Sequence, residues 1–156
     1  MMFCWGCEPA ESEINTCTLS DAAIMQAYYV QDIRFVGLTE IVADSRNMEN
    51  AELEIFVDLI DSDGIRIKSP GMFRFELYHF VPRTSQPMGK RIAVWPDVDL
   101  EESEVNNEYW RDFLRAYQFK LPLDFIPQPT DTFILQATFM TPNARRLSAT
   151  FHLKAK

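Results

Sequence analysis

Beyond residue 17 the sequence has no cysteine, and over its whole length it has only two histidines and five glycines. Each scarcity removes a class of protein. Cys4, Cys7 and Cys17 crowd into the start of the chain, so no disulfide framework holds the body together. His79 and His152 fall in segments that read as strands, and no serine sits in a Gly-x-Ser-x-Gly turn. A glycine-rich phosphate loop is also missing. No apolar run is long enough to cross a bilayer as a helix. Positive charge is short too: 15 Lys and Arg stand against 23 Asp and Glu, a formal charge of −8. That balance argues against a nucleic-acid partner and against docking of the protein body on anionic lipid. These absences lead to the expectation of a soluble, non-enzymatic domain with no catalytic residues, cofactor or metal.

What remains is enough for one domain. A chain of 156 residues buries roughly 70% of its extended surface and folds without staples. Hydrophobic residues at 47% and twelve phenylalanines suit a core in which large rings fill the space between facing layers.

The first 20 residues read as a signal remnant and tether, and residues 21–156 as the folded domain. Gly6-Cys7 followed by the polar stretch Glu8, Pro9, Glu11, Ser12 and Glu13 resembles the end of a bacterial lipoprotein signal, with Cys7 the lipidated residue. Six residues cannot hold the basic start and apolar core of such a signal, so this reading requires a coding stretch upstream of Met1; otherwise the location is cytoplasmic. Cys4-x-x-Cys7 as a redox or zinc pair lacks the surrounding βαβ unit or the further ligands. Ser20 as a cap, with Leu19 and Ile24 as a staple, predicts one or two helical turns over Asp21 to Ala27.

Alternation then dominates. A first strand is expected within Ile33 to Val42. Leu53, Ile55, Val57 and Leu59 alternate with Glu52, Glu54, Phe56 and Asp58, and Phe73, Phe75 and Leu77 alternate with Arg74, Glu76 and Tyr78. Asp61-Ser62-Asp63-Gly64 is a turn, with a short return strand over Ile65 to Lys68. Pro82 to Lys90 reads as a loop and Arg91 to Trp95 as a short strand. Phe133, Leu135, Ala137 and Phe139 pair with Leu147, Ala149, Phe151 and Leu153 across Pro142-Asn143-Ala144 as a hairpin. Trp110, Phe113, Leu114 and Tyr117 have three- and four-residue spacing, which predicts a short helix near 107–115 capped by Asn106 or Asn107. Many short strands and one helix predict a mostly β, antiparallel two-sheet sandwich.

Three further groups bear on function. Asp97, Asp99, Glu101, Glu102 and Glu104 make an acidic run over 97–104 that either holds a hard cation or is a solvated loop before a helix. Asp61 and Asp63 are a turn before they are a metal loop. Trp95, Tyr109 and Trp110 would form an aromatic platform for sugar rings or a partner if exposed, with Trp95 the residue expected to be most open.

Asp61-Ser62-Asp63-Gly64 through Tyr78 and Asn107 through Tyr117 resemble uncharacterised bacterial lipoproteins with a single small β-sandwich, over about residues 33–154. The opening strand–Asp-x-Asp-Gly–strand is similar to immunoglobulin-like and transthyretin-like modules. The resemblance implies an envelope location and no known activity. The expected function is a lipid-anchored envelope domain binding a protein or cell-wall component. The alternatives are a carbohydrate-binding module or, further off, a small enzyme or metal site.

Overall fold

The computed structural model describes residues 29–43 and 51–155. They form eleven strands and one helix: β1 (Asp32–Phe35), β2 (Glu40–Ala43), β3 (Ala51–Ile60), β4 (Arg66–Ile67), β5 (Met72–Phe80), β6 (Met88–Val94), β7 (Val98–Asp99), α1 (Ser103–Tyr109), β8 (Trp110–Arg111), β9 (Ala116–Leu123), β10 (Thr132–Met140) and β11 (Arg146–Lys154). All pairings are antiparallel and build two sheets. In sheet A, β1 and β2 follow one another along one edge of β3, while β9 and β4 share the other edge and β8 lies outside β9. Sheet B runs β11-β10-β5-β6, with β7 continuing the β6 edge of β5.

The alternation explains the packing. Leu53, Ile55, Val57 and Leu59 of β3 and Tyr117, Phe119, Leu121 and Leu123 of β9 face Phe73, Phe75 and Leu77 of β5 and Phe133, Leu135, Ala137 and Phe139 of β10. The rings of Phe73 and Phe119 lie 5.0 Å apart across the gap, and those of Phe75 and Phe119 lie 4.8 Å apart, so aromatic contacts span the two layers. The inward set expected from sequence is found, except that Phe151, on edge strand β11, is only half-buried against Phe35.

The hairpin β10–β11 pairs in full register from Thr132↔Lys154 to Met140↔Arg146. Its turn is closed by Thr141, whose hydroxyl accepts the Arg145 N–H at 3.0 Å, while Ala144 takes φ 62°. Asp61 does the same for the β3–β4 turn: its Oδ1 accepts the N–H groups of Asp63 at 2.9 Å and Ile65 at 2.8 Å, and Gly64 sits at φ 80°. Gly71 has no room for a side chain. Its φ is 149°, and a Cβ there would lie 2.4 Å from the Phe139 ring.

Several boundaries differ from the sequence expectation. The first strand is two pieces, β1 and β2, separated by a turn at Gly37 and Leu38. Residues 88–90 belong to β6 rather than to the preceding loop. The helix covers 103–109 rather than 107–115, and Asn106 lies inside it instead of capping it. Tyr117 is claimed by the period-two face of β9, which buries it fully; Trp110 then pairs opposite it as β8, and Asp112 to Arg115 form the turn. Phe113, assigned by its spacing to a helix face, is 85% exposed at the tip of that turn. The helix still closes the sandwich at that end, through Val105 and Tyr109, whose ring stacks on Phe119 at 5.0 Å.

Candidate functional site

The groups singled out by sequence do not converge. Cys4, Cys7, Cys17 and the helical turns over 21–27 lie outside the described residues. Trp95 is buried, not open, and its indole N–H donates to the Pro122 carbonyl at 2.8 Å across the sandwich. Tyr109 packs on Phe119, and Trp110 sits edge-on against Tyr117 at 5.1 Å, so the three rings form no platform. The acidic run is divided among partners. Asp97 forms a two-pronged pair with Arg74, at 2.8 and 2.7 Å, and Asp99 accepts the Glu101 N–H. Hydrogen bonding to the guanidinium holds Asp97 below the usual carboxylate range. Glu102 and Glu104 stand at the start of α1, where negative charge is favourable. Among the described residues no three His, Cys, Asp or Glu side chains group to hold a metal ion. Nor is any described helix long and apolar enough to cross a membrane.

At the helix end, a buried polar cluster does structural work. Asn106 donates from one amide nitrogen to the carbonyls of Ser69 and Leu100, both at 2.9 Å. The Tyr117 hydroxyl lies 3.0 Å from Asn106 Oδ1 and 3.0 Å from the Ser69 carbonyl, and accepts the Ser69 N–H at 3.0 Å. Beside it is a hollow of about 360 Å³ lined by Lys68, Ser69, Pro70, Glu101, Ser103 and Asn107. Lys68 and Asn107 bond to each other across its rim. The Asn106 side chain thus ties α1 to the 68–71 loop through Ser69, to Leu100 and to Tyr117 of β9.

The outward face of sheet B is different. Because Phe73, Phe75 and Leu77 point inward, Met72, Arg74, Glu76, Tyr78 and Phe80 point out. The strand register sets the rows across the face: Met72–Met140–Arg146, Arg74–Thr138–Ser148, Glu76–Gln136–Thr150, and Tyr78–Ile134–His152. From Arg146 to Lys154 the face is ~27 Å long, and its four strands make it ~14 Å wide. Its middle is hydroxyl and amide: Thr138 and Ser148 bond at 3.2 Å, and Gln136 and Thr150 lie in the next row.

A hollow marks each end of this face. A small one of about 60 Å³ lies among Met72, Arg74, Asp97, Thr138, Met140 and Arg146. A larger one of about 400 Å³ has Ile134 and Met88 below, Thr150 and His152 on one side, and Ser85 to Pro87 as its lip. That lip is the β5–β6 loop, which reaches over β10 toward β11 and is internally tied. Val81 N–H donates to the Pro87 carbonyl at 2.9 Å, and the Thr84 hydroxyl reaches the carbonyls of Val81 and Gln86. Arg83 holds φ 60°, and the backbone at Gly89 passes so close that a Cβ would lie 2.6 Å from Val81. The hollow is therefore shaped by backbone geometry before any ligand arrives.

Charge is divided between the sheets. Residues 72–94 and 132–154, which include the four main strands of sheet B, carry seven Lys and Arg and one carboxylate, Glu76. The rest of the described chain carries 16 carboxylates and six Lys and Arg. On the face, Arg74 and Arg91 are paired with Asp97 and Glu76. Arg146 and Lys154 are exposed and have no carboxylate partner among the described residues. Sequence reasoning missed this face because a net charge of −8 averages over it; strand-by-strand charge would have found it. Compared with protein-family models, curated proteins and solved structures, the chain has no significant match.

Proposed function

We propose that the chain is a non-enzymatic interaction module of the bacterial cell envelope, anchored by a lipid on Cys7, that binds a protein or cell-wall component through the outward face of sheet B. The observation that carries the binding reading is the pair of hollows at the two ends of one hydrogen-bonding sheet face. The face lies on regular strands, which hold a contact surface more rigidly than loops do. The anchoring rests on Gly6-Cys7 and the polar stretch after it. The order β1/β2-β3-β9 opposite β11-β10-β5-β6 puts the first, second and fifth main strands in one sheet and the other four in the second. That order supports an immunoglobulin-like reading of the sandwich. A carbohydrate-binding module built on stacked aromatics has less support, since Trp95 is inside.

The test has two parts. Bacteria expressing the full gene are grown with radiolabelled palmitate; the label should enter the protein and disappear in Cys7→Ser. Purified protein is then sedimented with isolated envelopes. Ser148→Trp, at an exposed point in the middle of the face, should abolish co-sedimentation without changing the circular-dichroism spectrum. Unlabelled wild-type protein would remove the anchor, and full binding by Ser148→Trp would remove the face.

A further inference from the structure

We propose that the sheet B face takes an acidic polysaccharide, a chain of sugar rings bearing carboxylate or phosphate groups. The proposal rests on the binding face described above and adds the chemistry of its occupant. The first argument is charge complementarity. An acidic protein carries seven of its 15 Lys and Arg on residues 72–94 and 132–154, against one carboxylate, Glu76; the adjoining β7 segment adds Asp97, which is taken up by Arg74, and Asp99. A field of that sign attracts an anion to this side and repels it from sheet A.

The second argument is the pattern within the face. Cationic side chains stand toward the ends, Arg74 and Arg146 by the small hollow and Lys154 beyond the large one. Between them run Gln136, Ser148 and Thr150, neutral groups that both donate and accept hydrogen bonds, with Thr138 buried behind Ser148 and bonded to it. Sugar hydroxyls match such groups, and spaced anions match the flanking cations. Other anionic partners fit less well. A protein interface needs an apolar centre, and the centre here is polar. Single-stranded nucleic acid needs exposed rings for its bases, while Tyr78 and Phe80 are half-buried and Phe80 is set edge-on to His152. A lipid surface requires only charge and makes no use of the row of hydroxyls or of the shaped 400 Å³ hollow.

The probe is polygalacturonate, with neutral dextran and vesicles of equal phosphatidylcholine and phosphatidylglycerol as the comparison arms. The full chain should bind polygalacturonate and not dextran, and raising NaCl from about 50 to about 500 mM should remove most of the binding. Arg146→Glu with Lys154→Glu should weaken it by about ten-fold or more. The milder pair Arg146→Gln with Lys154→Gln should weaken it less, and Lys120→Glu on sheet A should leave it unchanged. Circular dichroism confirms that each variant is folded. Equal affinity for dextran, insensitivity to the charge reversal, or binding to the vesicles alone would each overturn the proposal. If Ser148→Trp abolishes envelope binding while polygalacturonate does not bind, the face stands and the polysaccharide falls. If Ser148→Trp binds envelopes normally, both fall.

Discussion

The Tyr117 hydroxyl lies 3.0 Å from Oδ1 of Asn106, joining the start of β9 to the helix that closes the sandwich. Both groups are buried, and hydrogen bonds to each other, to Ser69 and to Leu100 satisfy them there. Removing the Tyr117 hydroxyl leaves Asn106 Oδ1 without its hydrogen-bond donor, whereas removing Asn106 leaves the hydroxyl still bonded to Ser69. Tyr117→Phe should therefore cost ~1–3 kcal/mol in urea unfolding, and Asn106→Ala, which also frees the Ser69 and Leu100 carbonyls, should cost more. Burial raises the Tyr117 pKa above its ordinary 10.0. The folded state thus keeps a proton that the unfolded state gives up, so stability falls as pH rises past 10.0. Tyr117→Phe should flatten that alkaline loss, read from melting temperatures across the range.

Phe75 and Phe151 have the same chemistry in different places. Phe75 is 0% exposed in the centre of the core, whereas Phe151 lies on edge strand β11 and keeps part of its ring in solvent. Phe75→Ala should cost ~3–5 kcal/mol and Phe151→Ala clearly less. Equal losses in chemical denaturation would contradict the packing.

Trp95 and Phe113 make a second contrast, one ring inside and one outside. Trp95→Phe removes an indole N–H bonded to the Pro122 carbonyl and should lower the melting temperature by several degrees. Phe113→Ser, at a tip open to water, should change it by about a degree or less. A large loss at Phe113 would restore the helix that its spacing suggested.

Asp58 is a charge placed where it is costly. It points to the outward side of sheet A yet is only 4% exposed; Arg66 pairs with one oxygen at 2.9 Å, and the other has no hydrogen-bond partner. Burial raises its pKa above 3.8, against the pull of Arg66 and Arg34. Folding therefore favours the protonated form, and its contribution is present below pH 3.8 and lost as pH rises through the raised value. Asp58→Asn should match or exceed the wild type at neutral pH, with the gain shrinking in acid. A variant less stable than wild type at neutral pH would show that the Arg66 pair outweighs desolvation.

The strands were legible because burial on one face forces period two. Leu53 to Leu59 and Phe133 to Phe139 carry that signal with nothing competing. Around Trp110 two periods overlap, since Tyr117 fits both a helix face and a strand face. The strand wins because it places Tyr117 between Phe73 and Asn106. Trp95 looked open because its strand neighbours alternate, but it follows the last residue of β6 and turns inward at Pro96. The candidate face was the least visible part. It depends on which strands become neighbours, so Arg74, Thr138 and Ser148 share a row although 64 residues separate the first two.

Thr39 stands in the gap between β1 and β2. Its hydroxyl accepts the Phe56 N–H at 3.0 Å and is 3.2 Å from the Phe56 carbonyl. One side chain thereby does for β3 what a paired peptide group would have done. In an amide hydrogen-exchange experiment, Phe56 should exchange as slowly as its paired neighbours, and Thr39→Val should open that single amide. The edge of the sheet can bend around its turn without giving the solvent an entry point.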